Sequence, residues 1–147
     1  MIDVAKEIME IGRIVLPVDV IVSSEINEAA EWKIKGVDEV SSDDHILDIG
    51  PLSISKNRGL VSDAKTIIWN GPLGVFEIPQ FSTGTRELGK SIKESYAFSI
   101  AGGGDTISAI EISDALDGIS YISTGGGAFL ETLEGKTLPG VSALLGK

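Results

Sequence analysis

Three strand-to-helix corners built on glycine constrain this chain more than anything else in its sequence. Residues 65–69 (KTIIW) run into Asn70-Gly71-Pro72-Leu73-Gly74-Val75-Phe76-Glu77. Residues 97–101 (AFSIA) run into Gly102-Gly103-Gly104-Asp105-Thr106, and residues 119–123 (ISYIS) into Thr124-Gly125-Gly126-Gly127-Ala128. Eight of the eighteen glycines fall in these three segments, so they are not scattered packing residues. Helical periodicity follows the second and third. Such an order places backbone N–H groups at helix N-termini beside the carboxyl ends of strands, where open α/β sheets bind anions.

The rest of the second half has the same grammar. Strands are expected at 66–69, 98–101 and 121–123. Helices are expected at 83–93, where Leu88 and Ile92 lie one turn apart, at 106–116, at 128–133 closed by Gly135, and at 139–145 opened by Pro139. Ile-rich strands alternating with helices imply an α/β fold with a parallel sheet covered on both faces. The first half is less regular. Residues 3–13 read as an amphipathic helix with Val4, Ile8, Met9 and Ile11 on its apolar side, and the apolar run 14–22 reads as a buried strand entered past Pro17. Residues 27–44 read as a polar surface excursion, 46–49 as a short strand stopped by Gly50-Pro51, and 55–63 as a weak helix interrupted by Gly59. A chain that opens on a helix with no strand ahead of it reads as truncated.

Composition narrows the class. Of 147 residues, 42% are hydrophobic, enough for a core, and no apolar run reaches the ~18 residues of a membrane span. There is no cysteine, hence no disulfide framework and no thiolate zinc site. The plain reading is a cytoplasmic protein without membrane partners. A net charge of −10, from twelve basic against twenty-two acidic residues, disfavours nucleic acid as a partner. Any anion must therefore be held locally, by backbone N–H groups, by a metal ion or by cations from elsewhere.

Each corner carries a functional reading beside a plain one. Gly102, Gly103 and Gly104 let the backbone approach a phosphate closely; Asp105 reads as a magnesium ligand or an N-cap, and Thr106 as a phosphate donor or a cap. Gly125, Gly126 and Gly127 offer a helix terminus to a developing anion, or simply pack helix on strand. In the first corner Asn70 stands at the strand end, Pro72 and Gly74 shape the turn, and Glu77 is an acceptor suited to ribose hydroxyls; equally, Phe76 anchors a core and Glu77 is solvated. His45, Trp69, Asp38-Glu39 and Asp43-Asp44 are set aside as turn, core and solvated residues.

Taken together the three corners resemble phosphoglycerate kinases, bacterial members most of all, as do Leu16-Pro17-Val18-Asp19 and Leu47-Asp48-Ile49-Gly50-Pro51. The resemblance covers essentially the whole chain; Leu52 departs from it, since many members have lysine there. It implies the C-terminal section, residues 1–147, of a nucleotide-binding domain, with a three-layer α/β/α Rossmann-like parallel sheet that is here incomplete. The family moves a phosphoryl group between ATP or ADP, with Mg²⁺, and 3-phosphoglycerate in glycolysis. It implies nucleotide contacts from Asn70, Gly71, Pro72, Glu77, Gly102, Gly103, Gly104, Asp105 and Thr106, a metal contact from Asp105, and a catalytic helix terminus at Gly126 and Gly127. It also implies that the 3-phosphoglycerate domain, the hinge and a lysine-bearing glycine loop are absent, so that the 147 residues alone are inactive. Segment 14–22 would then lack its native sheet neighbours and expose backbone that needs pairing. Two other readings remain: a non-catalytic nucleotide-binding module, and a dinucleotide-binding oxidoreductase, which lacks a G-x-G-x-x-G after a first strand.

Overall fold

A computed structural model describes residues 2–146. The chain builds two three-stranded sheets joined by helices. The first sheet, antiparallel, contains β1 (Asp19–Ser23), β2 (Trp32–Gly36) and β3 (His45–Ile49), in the order β2-β1-β3. The second, parallel, contains β4 (Thr66–Trp69), β5 (Phe98–Gly102) and β6 (Tyr121–Ser123), in that order. Helix α1 (Ile2–Glu10) precedes the first sheet; α2 (Pro51–Asp63), α3 (Thr83–Glu94), α4 (Gly104–Ile112), α5 (Gly127–Leu133) and α6 (Pro139–Leu144) follow.

The α/β class and the parallel sheet are as the sequence implies, and β4 and β6 have the expected bounds. Trp69, Ala101, Ile92 of α3 and Ala109 and Ile110 of α4 form the main core, with Val61 of α2 packed against it. One face of the parallel sheet is thereby closed. On the opposite face Ile68, Phe98 and Tyr121 remain about half exposed. At the sheet's end on this side Phe129 of α5 lies against Gly102.

Three expectations for the first half are corrected. Residues 14–18 are not strand: Ile14, Val15, Leu16 and Val18 are exposed, and pairing starts at Asp19. Nor is the backbone of β1 left unpaired. It is the central strand of its sheet, bonded on both sides, and all five of its residues are buried. Finally, the polar stretch 27–44 contains β2, an edge strand whose lysines alternate with Trp32 and Ile34. Asp44, expected to be merely solvated, receives Lys35 Nζ at 2.6 Å and the Ser41 amide at 2.8 Å. The Lys35 ammonium, with the Ser41 amide and hydroxyl, lowers its pKa to about 2.

Two buried aspartates tie the antiparallel sheet to the helices. Asp19 accepts hydrogen bonds from the Leu52 and Ser53 amides at 3.0 and 2.8 Å, in the first turn of α2. Ser53 Oγ lies 2.7 Å from Asp19 Oδ1 and accepts from the Val18 amide at 2.9 Å. A Cβ on Gly50 would lie 2.3 Å from the Asp19 carboxyl carbon, so only glycine fits there. Asp48 does the same for α3: its Oδ2 accepts from the Gly84 amide at 2.8 Å, and a Cβ on Gly84 would lie 2.3 Å from Oδ1. Each carboxylate satisfies donors that a helix start leaves unpaired, and sits at the positive end of the helix dipole. In neither case does the helix's own N-cap residue supply a side chain for this.

The two acids respond oppositely to burial. For Asp19 desolvation acts to raise the pKa, but the Ser53 hydroxyl and the Leu52 and Ser53 amides outweigh it and hold the carboxyl below its usual value. For Asp48 desolvation prevails over the amides of Gly84, Ile49 and Thr83 and pushes the carboxyl from the usual 3.8 up to about 6. The fold therefore holds a proton on Asp48 in a range where the unfolded chain has lost it. That contribution to stability is complete below pH 3.8 and is lost as pH rises through about 6. Compared with an Asp48→Asn variant, the wild type should gain about 2 kcal/mol on going from roughly pH 7 to roughly pH 4. Urea unfolding of both proteins at the two pH values measures this; a difference that is flat or grows with pH contradicts it.

Candidate functional site

Parallel pairing decides where the glycine corners lie. Trp69 is in register with Ala101, and Gly102 with Ser123. All three strands therefore end at one edge of the sheet, and the corners after them share a single rim. The sequence expectation of one rim holds.

The central corner is the one best built for an anion. Gly102 is the buried last residue of β5, and Gly103, with φ 104° and ψ 145°, is the N-cap of α4. A side chain at Gly103 would be strained, and its Cβ would crowd Asn70 Nδ2 at 3.0 Å and Thr106 Oγ1 at 3.2 Å. No side chain caps α4, so its first-turn amides keep their hydrogen-bonding capacity. Gly104 has nothing within 4 Å of the position a Cβ would take. Asp105 is exposed in that same first turn. Thr106 is buried: its hydroxyl donates to the Gly102 carbonyl at 2.8 Å and accepts the Gly71 amide at 2.7 Å.

The first corner proves different in kind. The Gly71 amide is taken by Thr106, the Gly71 carbonyl receives the Trp69 indole N–H at 2.9 Å, and Pro72 has no N–H. The Leu73 amide donates to Thr85 Oγ1 at 2.9 Å. Asn70, exposed at the end of β4, donates one amide hydrogen to the Gly102 carbonyl at 2.7 Å. Residues 71–73 therefore have no bare backbone donor, and the Asn70 amide keeps its second hydrogen. The segment then crosses to the antiparallel sheet, where the Val75 amide donates to the Leu47 carbonyl at 2.8 Å. A Cβ on Gly74 would lie 2.5 Å from that same carbonyl, and φ there is +124°. Phe81 closes a second core with Ile21, Ala30 and Leu47, and Val75 and Ile78 lean on it. Phe76 is half-buried and Glu77 exposed in the turn between them.

At the third corner Gly126 is the N-cap of α5 with φ 52°. The Ala128 and Phe129 amides donate to the Gly125 and Gly126 carbonyls, both at 3.1 Å, which leaves the Gly126 and Gly127 amides as the donors of this turn. Both glycines are exposed. Gly102 is what brings α5 close, because a Cβ on it would lie 2.4 Å from the Phe129 ring.

The three corner segments contain no lysine or arginine. Among the described residues no three His, Asp or Glu side chains converge as a metal site. Asp105 alone fits magnesium held jointly by one carboxylate and the phosphates of its ligand. Sequence reasoning missed Thr85 and the helix-capping acids Asp19 and Asp48. The one available signal was an acid following an apolar run, at Leu16-Pro17-Val18-Asp19 and Leu47-Asp48. His45 is exposed at the start of β3, as expected of a residue set aside.

Known proteins share this arrangement. A family model described as phosphoglycerate kinase matches residues 1–136. The structure of phosphoglycerate kinase from Coxiella burnetii superposes with a TM-score of 0.88 at 47% identity, over 91% of this chain and 36% of that one. The crystal structure of phosphoglycerate kinase from Pyrococcus horikoshii OT3 superposes with a TM-score of 0.83 at 36% identity, over 97% of this chain and 36% of that one. The chain thus spans about a third of the length of these solved kinases. No described helix is long and apolar enough to cross a membrane.

The contact between Gly102 and Phe129 gives a test of how the rim is assembled. Gly102→Ala should cost about 1–3 kcal/mol in urea unfolding, and clearly less in a Phe129→Ala background. Equal costs in both backgrounds would mean that α5 does not seat there.

Proposed function

The chain belongs to the phosphoglycerate kinase family, and on that premise we propose that its rim is the phosphate and ribose side of a site for a magnesium-bound adenine nucleotide. One observation carries the reading: three parallel strands end together beneath an uncapped nine-residue helix with a single exposed carboxylate in its first turn. Helix N-termini take phosphate through their free amides and dipole. Gly103, Gly104 and Asp105 supply those amides, and Asp105 is the residue that would hold Mg²⁺. When bound, the ion would neutralise phosphate charge. Asn70 offers its remaining amide hydrogen to the same phosphates. Gly71, Pro72 and Leu73 line the sugar side, and Glu77 accepts from ribose hydroxyls.

In the complete enzyme the reaction is transfer of the ATP γ-phosphoryl to the carboxylate of 3-phosphoglycerate, and its reverse. A carboxylate oxygen forms the new P–O bond as the bond to ADP breaks. Gly126 and Gly127, at the start of α5, would face the migrating group and offset its charge with backbone amides. The acid substrate would be carried by parts of the enzyme outside these 147 residues. With no cation on the corner segments, the chain alone binds nucleotide weakly and does not turn over; each charged phosphate contact missing costs ~1.5–3 kcal/mol. On this reading the complete enzyme works in glycolysis, in the cytoplasm. A purely nucleotide-binding role is the second reading, and the same lack of lysine and arginine at the rim favours it for the isolated chain.

Calorimetry with Mg-ATP at millimolar concentration should give one site per chain, lost on chelating magnesium and weakened at least tenfold by Asp105→Ala. A coupled assay with 3-phosphoglycerate should detect no turnover. No saturable heat, or binding indifferent to Asp105, would remove the nucleotide reading; turnover by the chain alone would remove the claim of inactivity.

A further inference from the structure

Two threonines from different helices end on the same loop. Thr85 of α3, 0% exposed, accepts the Leu73 amide at 2.9 Å. Thr106 of α4, 1% exposed, accepts the Gly71 amide at 2.7 Å. Pro72 between them has no donor, so every backbone N–H of the 71–73 turn is spent on a buried hydroxyl. Thr106 donates its own proton to the Gly102 carbonyl, and Asn70 donates to that oxygen too. The first and central corners therefore close into one hydrogen-bonded ring through Gly71, Thr106, Gly102 and Asn70.

A β-branched side chain is stiff at χ1, which suits a hydroxyl that must accept at one fixed point. Thr106 uses the back-bond to a carbonyl four residues earlier, common for threonine in helices, to fix its rotamer. Replacing either hydroxyl with a methyl would leave a part-buried amide unpaired, at a cost in stability. That cost has no purpose in a loop free to move.

We propose that Thr85 and Thr106 are positioning residues: their hydroxyls hold residues 70–74 in ligand-ready shape before any nucleotide arrives. The loop then presents a fixed apolar edge to the sugar, and the phosphate contacts fall to the α4 corner. Thr106 thereby acts through Gly71 and Gly102, and its side chain is not itself a phosphate donor. The claim about ligand rests on the nucleotide reading; the claim about the loop does not.

Amide hydrogen exchange by NMR on the 147-residue chain, paired with Mg-ADP titration, tests both. Thr85→Val should speed exchange at Leu73 tenfold or more, and Thr106→Val should do so at Gly71. The Val75 amide, bonded to Leu47, should stay within about twofold in each, and Thr85→Ser should restore Leu73. In titration Thr85→Val should raise the Kd for Mg-ADP about tenfold and Thr85→Ser should not. Unchanged exchange at Leu73 and Gly71 overturns the lock. Faster exchange with unchanged Kd overturns the positioning role and leaves the nucleotide reading standing. A wild-type chain that binds no Mg-ADP overturns the nucleotide reading and the positioning role together, while exchange still decides the lock. If Thr85→Val does not fold, Thr106→Val with the Gly71 amide decides the same points.

Discussion

The fold depends on two carboxylates taken out of water to start two helices. Asp19 sits against the first turn of α2 and Asp48 against the first turn of α3, each from a strand of the antiparallel sheet. Burying a carboxylate is costly unless donors meet it, and a helix start has donors to spare. The pairing resolves both problems at once. It also dictates glycine at positions 50 and 84, where any side chain would collide with the acid. Because α2 and α3 pack on the core of the parallel sheet, these contacts carry the antiparallel sheet's position through to the rim.

The loop after β4 completes that link. It begins on the parallel sheet, is held in mid-course by threonines of α3 and α4, and finishes on the antiparallel sheet at Leu47 and Phe81. The Gly71 and Leu73 amides are spent and Pro72 has none, so residues 71–73 differ from the two corners beside them. Division of labour along the rim follows: one segment shapes, while the N-terminus of α4 supplies amides and Asp105 a carboxylate. The family's chemistry, which is mostly positioning and charge stabilisation, asks for both.

Much of this was legible from the residues. Strands 66–69 and 121–123 stand as expected because Ile-rich runs meeting glycine have few alternatives in an α/β chain. Helix α2 was half seen: Gly50-Pro51 reads as a stop after a strand, yet Pro51 occupies the first helical turn, where a missing N–H costs nothing. Strand β2 was hidden by its lysines, since an edge strand in an acidic neighbourhood has the composition of a loop. The antiparallel pairing was hidden for a different reason. A buried strand such as β1 is apolar throughout in either kind of sheet, and only its partners reveal the direction. In loop 70–77 the Leu73 and Gly71 amides are spent on side-chain hydroxyls. The hydroxyls that claim them lie 12 and 35 residues away in sequence, beyond the reach of local pattern.

The half-bare face of the parallel sheet, with Ile68, Phe98 and Tyr121, sets the colloidal character of the chain. Ten net negative charges keep copies apart at neutral pH, and with an isoelectric point near 4.4 that repulsion fades on acidification. Salt weakens it too, because the Debye length shrinks. This oily strip is then free to find its twin on another molecule, so solubility here is governed by electrostatic repulsion rather than by a wholly polar surface.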